Sequence, residues 1–360
     1  MPSSFYPTKL WALSPFSLVL VLVWWGAPVS AQWIIQNSGT RARLRGLAVV
    51  DPRVIWASGA QGTFARTTDG GKTWKAGAVP DATDLDFRDV HARDDRVALL
   101  LSIGEGRKSR IYGTTDSGNT WSLRFQNQNP KVFLDALAFW NSEHGIALGD
   151  PVDGRFTILR TVDGGLHWTN SPPVTMPPAL TGEGAFAASG TCLVARGDRH
   201  AWFGTGGAEV ARVFRSTDRG QTWTVHETPI RAGNPSSGLF SLAFLDQNQG
   251  VAVGGDFKQP EQAKRVVART ADGGQRWTVP RGPGPAGYRS AVAFVPGTSG
   301  PSLVAVGPTG SDYSTDGGET WISLGKMGFH AVGVAGPIDG GWGAGEDGVI
   351  ARFQGSFEAR

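Results

Sequence analysis

Cysteine is nearly absent from this sequence: Cys192 is the only one in 360 residues. One thiol excludes an intramolecular disulfide and a multi-cysteine metal centre within the chain, and it reads as a small buried residue. Charge is scarce as well, with 18% Asp, Glu, Lys and Arg and a formal net charge of +3. There is no Lys/Arg-rich run and no basic stretch interleaved with aromatics, so the electrostatic footprint of a nucleic-acid binder is missing. The six histidines, His91, His144, His167, His200, His226 and His330, include no close pair with metal-ligand spacing. No metal and no cofactor is therefore expected. Tyrosine is limited to four residues. Beyond the N-terminus no segment has helical periodicity.

What is abundant is glycine, 51 residues, and tryptophan, 14 residues. Many short strands joined by tight turns give such a composition. The N-terminus differs from the rest. Lys9 precedes an apolar run from Leu18 to Trp25, and Val29-Ser30-Ala31 places small residues at the −3 and −1 positions. That order predicts a signal peptide over 1–31, cleaved before Gln32. The apolar run is short for a membrane span of roughly 20 residues. No cysteine follows the cleavage site and no twin arginine precedes the run. The expected location is periplasmic or secreted, with a single domain over 32–360.

The domain is repetitive. Six segments align without gaps: RTTDGGKTW (66–74), GTTDSGNTW (113–121), RTVDGGLHW (160–168), RSTDRGQTW (215–223), RTADGGQRW (269–277) and YSTDGGETW (313–321). Their aspartates are Asp69, Asp116, Asp163, Asp218, Asp272 and Asp316, at intervals of 47, 47, 55, 54 and 44 residues. Each interval reads as four strands, the unit of a β-propeller blade. Asp in a hairpin turn accepts its own downstream N–H groups. The glycine two residues later can supply a positive φ. The Trp opens an outer strand, where its ring can cover the gap to a neighbouring blade. Six copies, one per blade, assign these aspartates an architectural role. His167 stands where most turns have Thr and reads as a turn residue.

The two chain ends supply one more blade. Segments 329–336, 341–348 and 349–353 resemble three strands with no Asp turn after them, while 32–39 resembles a Trp-opened outer strand with no blade before it. Pairing them closes the ring and removes exposed edges. The expected fold is all-β: a seven-bladed propeller of four-stranded antiparallel blades starting near Leu44, Asp86, Val132, Gly184, Gly238, Tyr288 and Phe329.

The turn pattern resembles the Asp-box (BNR) repeat found in sialidases and many other propellers; four of the six turns keep the Thr-Trp ending. Over the mature length, segments LRGLAVVD (44–51), GAQGTFARTTDGGKTW (59–74) and WGAGEDGVIARF (342–353) are similar to photosystem II stability/assembly factor-like propellers. The resemblance implies an exported accessory protein that acts by protein contacts, with an envelope or membrane-complex subunit as partner. A monomer is expected, with no nucleic-acid partner.

In such a ring the Asp turns lie on one face, and the loops between second and third strands and between blades lie on the other. The second face is where variable loops carry function. Its candidates are Arg45, Arg88, Asp135, Arg289 and His330 at the starts of inner strands, and Glu105, Asp150, Glu183, Asp256 and Asp312 in loops. Arg45, Arg88 and Arg289 are expected to place their guanidinium groups around one channel mouth, where they would suit a polar or anionic ligand or a partner's carboxylate or phosphate. The Pro-rich insertion 171–192 reads as a lid, a partner surface or a stiff inter-blade loop. The rival function is a sialidase-like glycoside hydrolase on the same face, with the three arginines as a triad and two of the five loop carboxylates facing one bond. Hydride transfer has less behind it. The G-x-G-x-x-G matches at 282–287 and 343–348 lack a strand–helix setting, and the first contains prolines.

Overall fold

The protein is described here by a computed structural model covering residues 1–4 and 32–357. The leader reading rests on residues outside these. Residues 32–357 form a seven-bladed propeller of seven antiparallel sheets. Blades 1 to 6 occupy 44–78, 86–126, 134–170, 193–227, 237–278 and 291–325, and blade 7 combines 331–354 with 32–36. In blade 1 the strands run inner to outer as Leu44–Val49, Ile55–Gly59, Thr63–Thr67 and Lys75–Ala78. Second strands are covered on both faces by neighbouring blades, so IWASG, GVAVGGD and LVAVG are buried throughout. This explains their near-continuous apolar character.

The six Asp turns share one hydrogen-bond plan. The hydroxyl two residues before each Asp donates to its Oδ1 and accepts the N–H of the glycine two residues after it. In blade 1 the Thr73 N–H and hydroxyl also donate to Asp69, at 3.0 and 2.5 Å. These bonds from Thr73 hold the Asp69 carboxyl at about 2. In blade 3 His167 takes over the Thr role, its Nδ1 lying 2.7 Å from Asp163 Oδ2. Gly71 has φ +83°, and a Cβ there would meet the Trp342 ring at 2.4 Å, so two constraints require glycine. Asp316→Ala is expected to lower stability by about 1 kcal/mol, because it removes acceptors for Ser314 and Thr320 in a half-exposed turn. Urea unfolding checks this; an unchanged midpoint would show that the turn does not need its carboxylate.

The Trp after each turn packs onto the preceding blade. Trp74 meets Trp342 of blade 7 edge-on at 5.8 Å, and Trp121 lies 5.1 Å from Phe64 of blade 1. Trp168, Trp223, Trp277 and Trp321 join the apolar clusters of blades 2, 3, 4 and 5. The seventh member of the series is Trp33, from the other end of the chain. It packs with Ala291 and Val304 of blade 6 and donates from Nε1 to Ser311 Oγ at 2.8 Å. Its strand, Gln32–Gln36, pairs antiparallel with Ile350–Gln354 and closes the ring.

Two details differ from the sequence reading. The inner strand of blade 4 begins at Leu193, not near Gly184, which forms a bridge to Gly206 instead. The outer strand of blade 5 shrinks to one bridge between Arg269 and Thr278. Pro280 follows closely and has no N–H to extend the ladder.

Candidate functional site

The site is organised by the insertion before blade 4. Its first part runs along blade 4, where Trp223 N–H donates to Thr175 O at 3.0 Å. Its second part, 184–191, turns into the central channel. The sequence there, GAFAASGT, consists of small residues around one ring, Phe186. A buried loop needs donors for its carbonyls. Arg88 Nη1 donates to Ala187 O at 3.0 Å, and Arg45 Nη1 to Ala188 O at 3.3 Å. Ser189 Oγ donates to Ser290 O at 3.0 Å, and Thr191 Oγ1 lies 2.6 Å from Ser241 Oγ. These partners sit on or beside the inner strands of blades 1, 2, 5 and 6. The segment is therefore a plug across the channel, neither a rim lid nor an ordinary inter-blade loop.

Above the plug, on the face opposite the Asp turns, lies a cavity of about 310 Å³. Its basic side chains are Arg45, Arg88 and His330, and its aromatic ones Phe186, Phe240, Phe257 and Tyr288. Phe186 and Phe240 stack at 3.9 Å with an 8° interplanar angle, and Tyr288 meets Phe240 edge-on at 4.7 Å. Ligand sites commonly combine such an apolar wall with a few polar groups.

The charges around this mouth are unevenly matched. Asp86 Oδ2 accepts from both Arg43 Nη2 and Arg88 Nε, each at 2.9 Å. Arg45 has no carboxylate partner among the described residues, and its Nε is buried without an acceptor. Burial, with Arg88 and Arg43 adding to it, lowers the Arg45 guanidinium to about 10, so it is still charged at neutral pH. His330 Nε2 lies 2.6 Å from Glu346 Oε1. Burial and then Arg45 depress His330 to about 4, against the pull of Glu346, which leaves it neutral.

Below the cavity is a group of buried acids. Asp150 Oδ1 accepts the Ala185 N–H of the plug at 2.9 Å, and burial raises its carboxyl to about 6. Asp135 is buried with neither oxygen hydrogen-bonded; burial and Asp150 raise it well above the usual carboxylate range while Arg88 opposes them. Asp89 sits under Gly190 of the plug, and burial pushes it up to about 7. Cys192 is fully buried beside these acids, and its thiol is raised by burial first and by their charges second.

The other sequence-derived candidates lie elsewhere. Arg289 does not join Arg45 and Arg88 around the mouth. It is turned into a buried ion pair with Asp312, at 2.6 Å, with the two side chains 1% and 2% exposed. A three-arginine cluster is thus not assembled, because the third guanidinium is committed to Asp312, which lies in the third strand of blade 6, Gly310–Ser314, and not in a loop as expected. Glu183 is buried against Arg212, which donates from Nε to Oε1 at 2.8 Å and from Nη2 to Oε2. This pair fastens the insertion to blade 4. Asp256, the last residue of the second strand of blade 5, accepts from Ser236 and Asn234 and so ties that strand end to the segment that leads into the blade's inner strand. Glu105 is exposed and precedes the short turn Gly106–Lys108 of blade 2. Sequence reasoning overlooked the aromatic wall. Phe240 lies in SGLFSLAF, an inner strand buried at every position. That unbroken run was the available signal, because an inner strand facing an open wet channel would alternate.

No family model and no curated protein matches the chain. Among solved structures, YCF48 bound to D1 peptide is similar, with a TM-score of 0.60 and 17% identity over 90% of this chain and 97% of that one. YCF48 from Cyanidioschyzon merolae gives 0.61 and 17% over 90% and 99%. The WD40 propeller domain of Doa1 gives 0.55 and 12% over 91% and 97%. At these identities the likeness is one of fold: the chain shares the propeller architecture of YCF48 and of WD40 proteins.

Proposed function

We propose that this chain is an exported, Asp-box propeller that works as a protein-interaction or assembly factor, with the channel mouth opposite the Asp turns as its working face. The observation that carries the reading is the plugged channel. The chain spends an inserted segment and two arginines to build a cationic, aromatic-walled cavity that the propeller itself does not need. A fold-level neighbour, YCF48, has been captured with a D1 peptide, which favours a protein ligand over a purely structural role. The likeness to photosystem II assembly factors in segments 44–51, 59–74 and 342–353 points the same way, as does the leader-like N-terminus. The partner class that fits is a subunit of an envelope or membrane complex.

A photo-crosslinking residue tests this in the native host. Placed at Phe257, on the cavity wall and 45% exposed, it is expected to give defined adducts with a partner chain. Placed at Thr320, in the Asp turn of blade 6, it is expected to give none. Adducts from Thr320 alone would move the working face to the other side. In the same cells, mass spectrometry of the envelope fraction should find a mature chain beginning at Gln32; intact protein confined to the cytoplasm would contradict export.

A further inference from the structure

Three guanidinium groups, Arg43, Arg45 and Arg88, converge on a single carboxylate, Asp86. Arg43 and Arg88 are hydrogen-bonded to it, and Arg88 is held a second time by Ala187 O. Arg45 alone has no countercharge among the described residues. Its one hydrogen bond, to Ala188 O, is long at 3.3 Å, and its Nε is buried without a partner. A desolvated cation without a countercharge is costly. Three guanidinium groups against one carboxylate leave a formal surplus of two positive charges, and only Arg45 lacks a bonded acid, so one guanidinium fork is open to a single carboxylate. The guanidinium fork matches the planar geometry of a carboxylate. The Tyr288 hydroxyl, beside Arg45, makes no hydrogen bond among the described residues and adds a free donor.

The rest of the cavity decides what the carboxylate is attached to. Phe186, Phe240 and Phe257 supply an apolar wall, and Phe257 is 45% exposed, the kind of surface a ligand covers. Among the described residues no acid lines the cavity; Asp86 and Glu346 beside it serve Arg88 and His330. A volume of about 310 Å³ holds one large side chain with its carboxylate and little more.

We infer that the channel mouth binds an organic monocarboxylate with an aromatic or branched apolar body, its carboxylate on Arg45 and its body against Phe186, Phe240 and Phe257. This rests on the reading of the mouth as the working face and specifies its ligand. The chemistry is met by the free C-terminal residue of a protein chain or by a small aromatic acid.

Calorimetric titration of the mature chain at pH 7 distinguishes these with three probes: N-acetyl-Gly-Gly-Phe with a free carboxylate, the same peptide amidated, and 3-phenylpropionate. The acid peptide is expected to bind about tenfold or more tightly than the amide, the scale of one charge-assisted bidentate contact. Arg45→Gln should remove that difference. Acid peptide well above 3-phenylpropionate assigns the site to chain ends; equal affinities assign it to small acids, and both support the inference. Equal binding of acid and amide peptides to the unaltered chain overturns it, as does no binding of any probe at millimolar concentration. Both tests use the wild type, so they hold even if Arg45→Gln misfolds. Crosslinks from Phe257 without a carboxylate preference would leave the working face in place and remove only this ligand class.

Discussion

Trp33→Ala is expected to destabilise the protein by about 3–5 kcal/mol, the range for removing a large buried aromatic. Trp33 is 6% exposed although it lies only two residues into the described propeller. Its ring centroid is 4.8 Å from Phe329 and 5.4 Å from Phe353, and its Nε1 donates to the buried Ser311. Truncation therefore opens a cavity between blades 6 and 7, leaves the Ser311 hydroxyl without its donor and weakens the pairing of Gln32–Gln36 with Ile350–Gln354 that closes the ring. Ile35 is the internal control. It lies on the same strand, two residues away, and is 58% exposed; Ile35→Ala should change stability by less than about 0.5 kcal/mol. Urea midpoints for the two variants check this. Equal effects would mean that the strand is held by its ladder alone and that Trp33 does not act as the seventh inter-blade wedge.

Asp89→Asn is expected to be more stabilising, relative to the wild type, at pH 8 than at pH 4, by roughly 4 kcal/mol. The sign follows from the raised carboxyl. Burial pushes Asp89 up from 3.8 to about 7, against the Leu137 N–H that donates to Oδ2 at 2.7 Å. Between those two values the folded chain binds a proton that the unfolded chain has released. The contribution of Asp89 to stability is thus present below about 4 and is lost as pH rises towards 7. Asparagine keeps the acceptor for Leu137 and never ionises, so the difference between variant and wild type should grow across that window. Other groups titrate there too. Asp150 and Asp135 act in the same direction as Asp89. His91 and His330, each depressed to about 4 chiefly by burial, act in the opposite direction between about 4 and 6.5. All of them remain in both proteins and cancel in the difference. Unfolding free energies at several pH values test this. A difference that does not change with pH would show that Asp89 ionises normally, with water reaching it beneath the plug.

The features legible in the sequence share one property: each is produced by residues close together in the chain. Asp69 bonds to Thr67 and Thr73, all within one turn, so the same letters mark the same structure in six places. Trp33 was readable as an outer-strand residue because it repeats the position that Trp74 and Trp321 hold in complete blades. Arg45 and Arg88 were readable as mouth residues because blade phase alone sets where an inner strand starts. Arg289 shares that phase yet faces away, since its orientation is decided by Asp312 on the third strand of the same blade. Glu183 appeared as a loop carboxylate, but Arg212, 29 residues on, takes it into the wall of blade 4.

By itself the sequence determined the ring: all-β, seven blades, closed by the first strand on the last sheet. Periodic local chemistry specifies that arrangement without reference to distant residues. Only the tertiary structure decided the site. The path of 184–191 depends on hydrogen-bond partners from blades 1, 2, 5 and 6, up to 143 residues away in the chain. Small residues such as Ala187 and Ala188 carry no local sign of which arginines will bind their carbonyls. Charge pairing is equally non-local: the same residue type becomes a buried brace at Arg289 and an uncompensated cation at Arg45, according to which carboxylate the closed ring brings within reach.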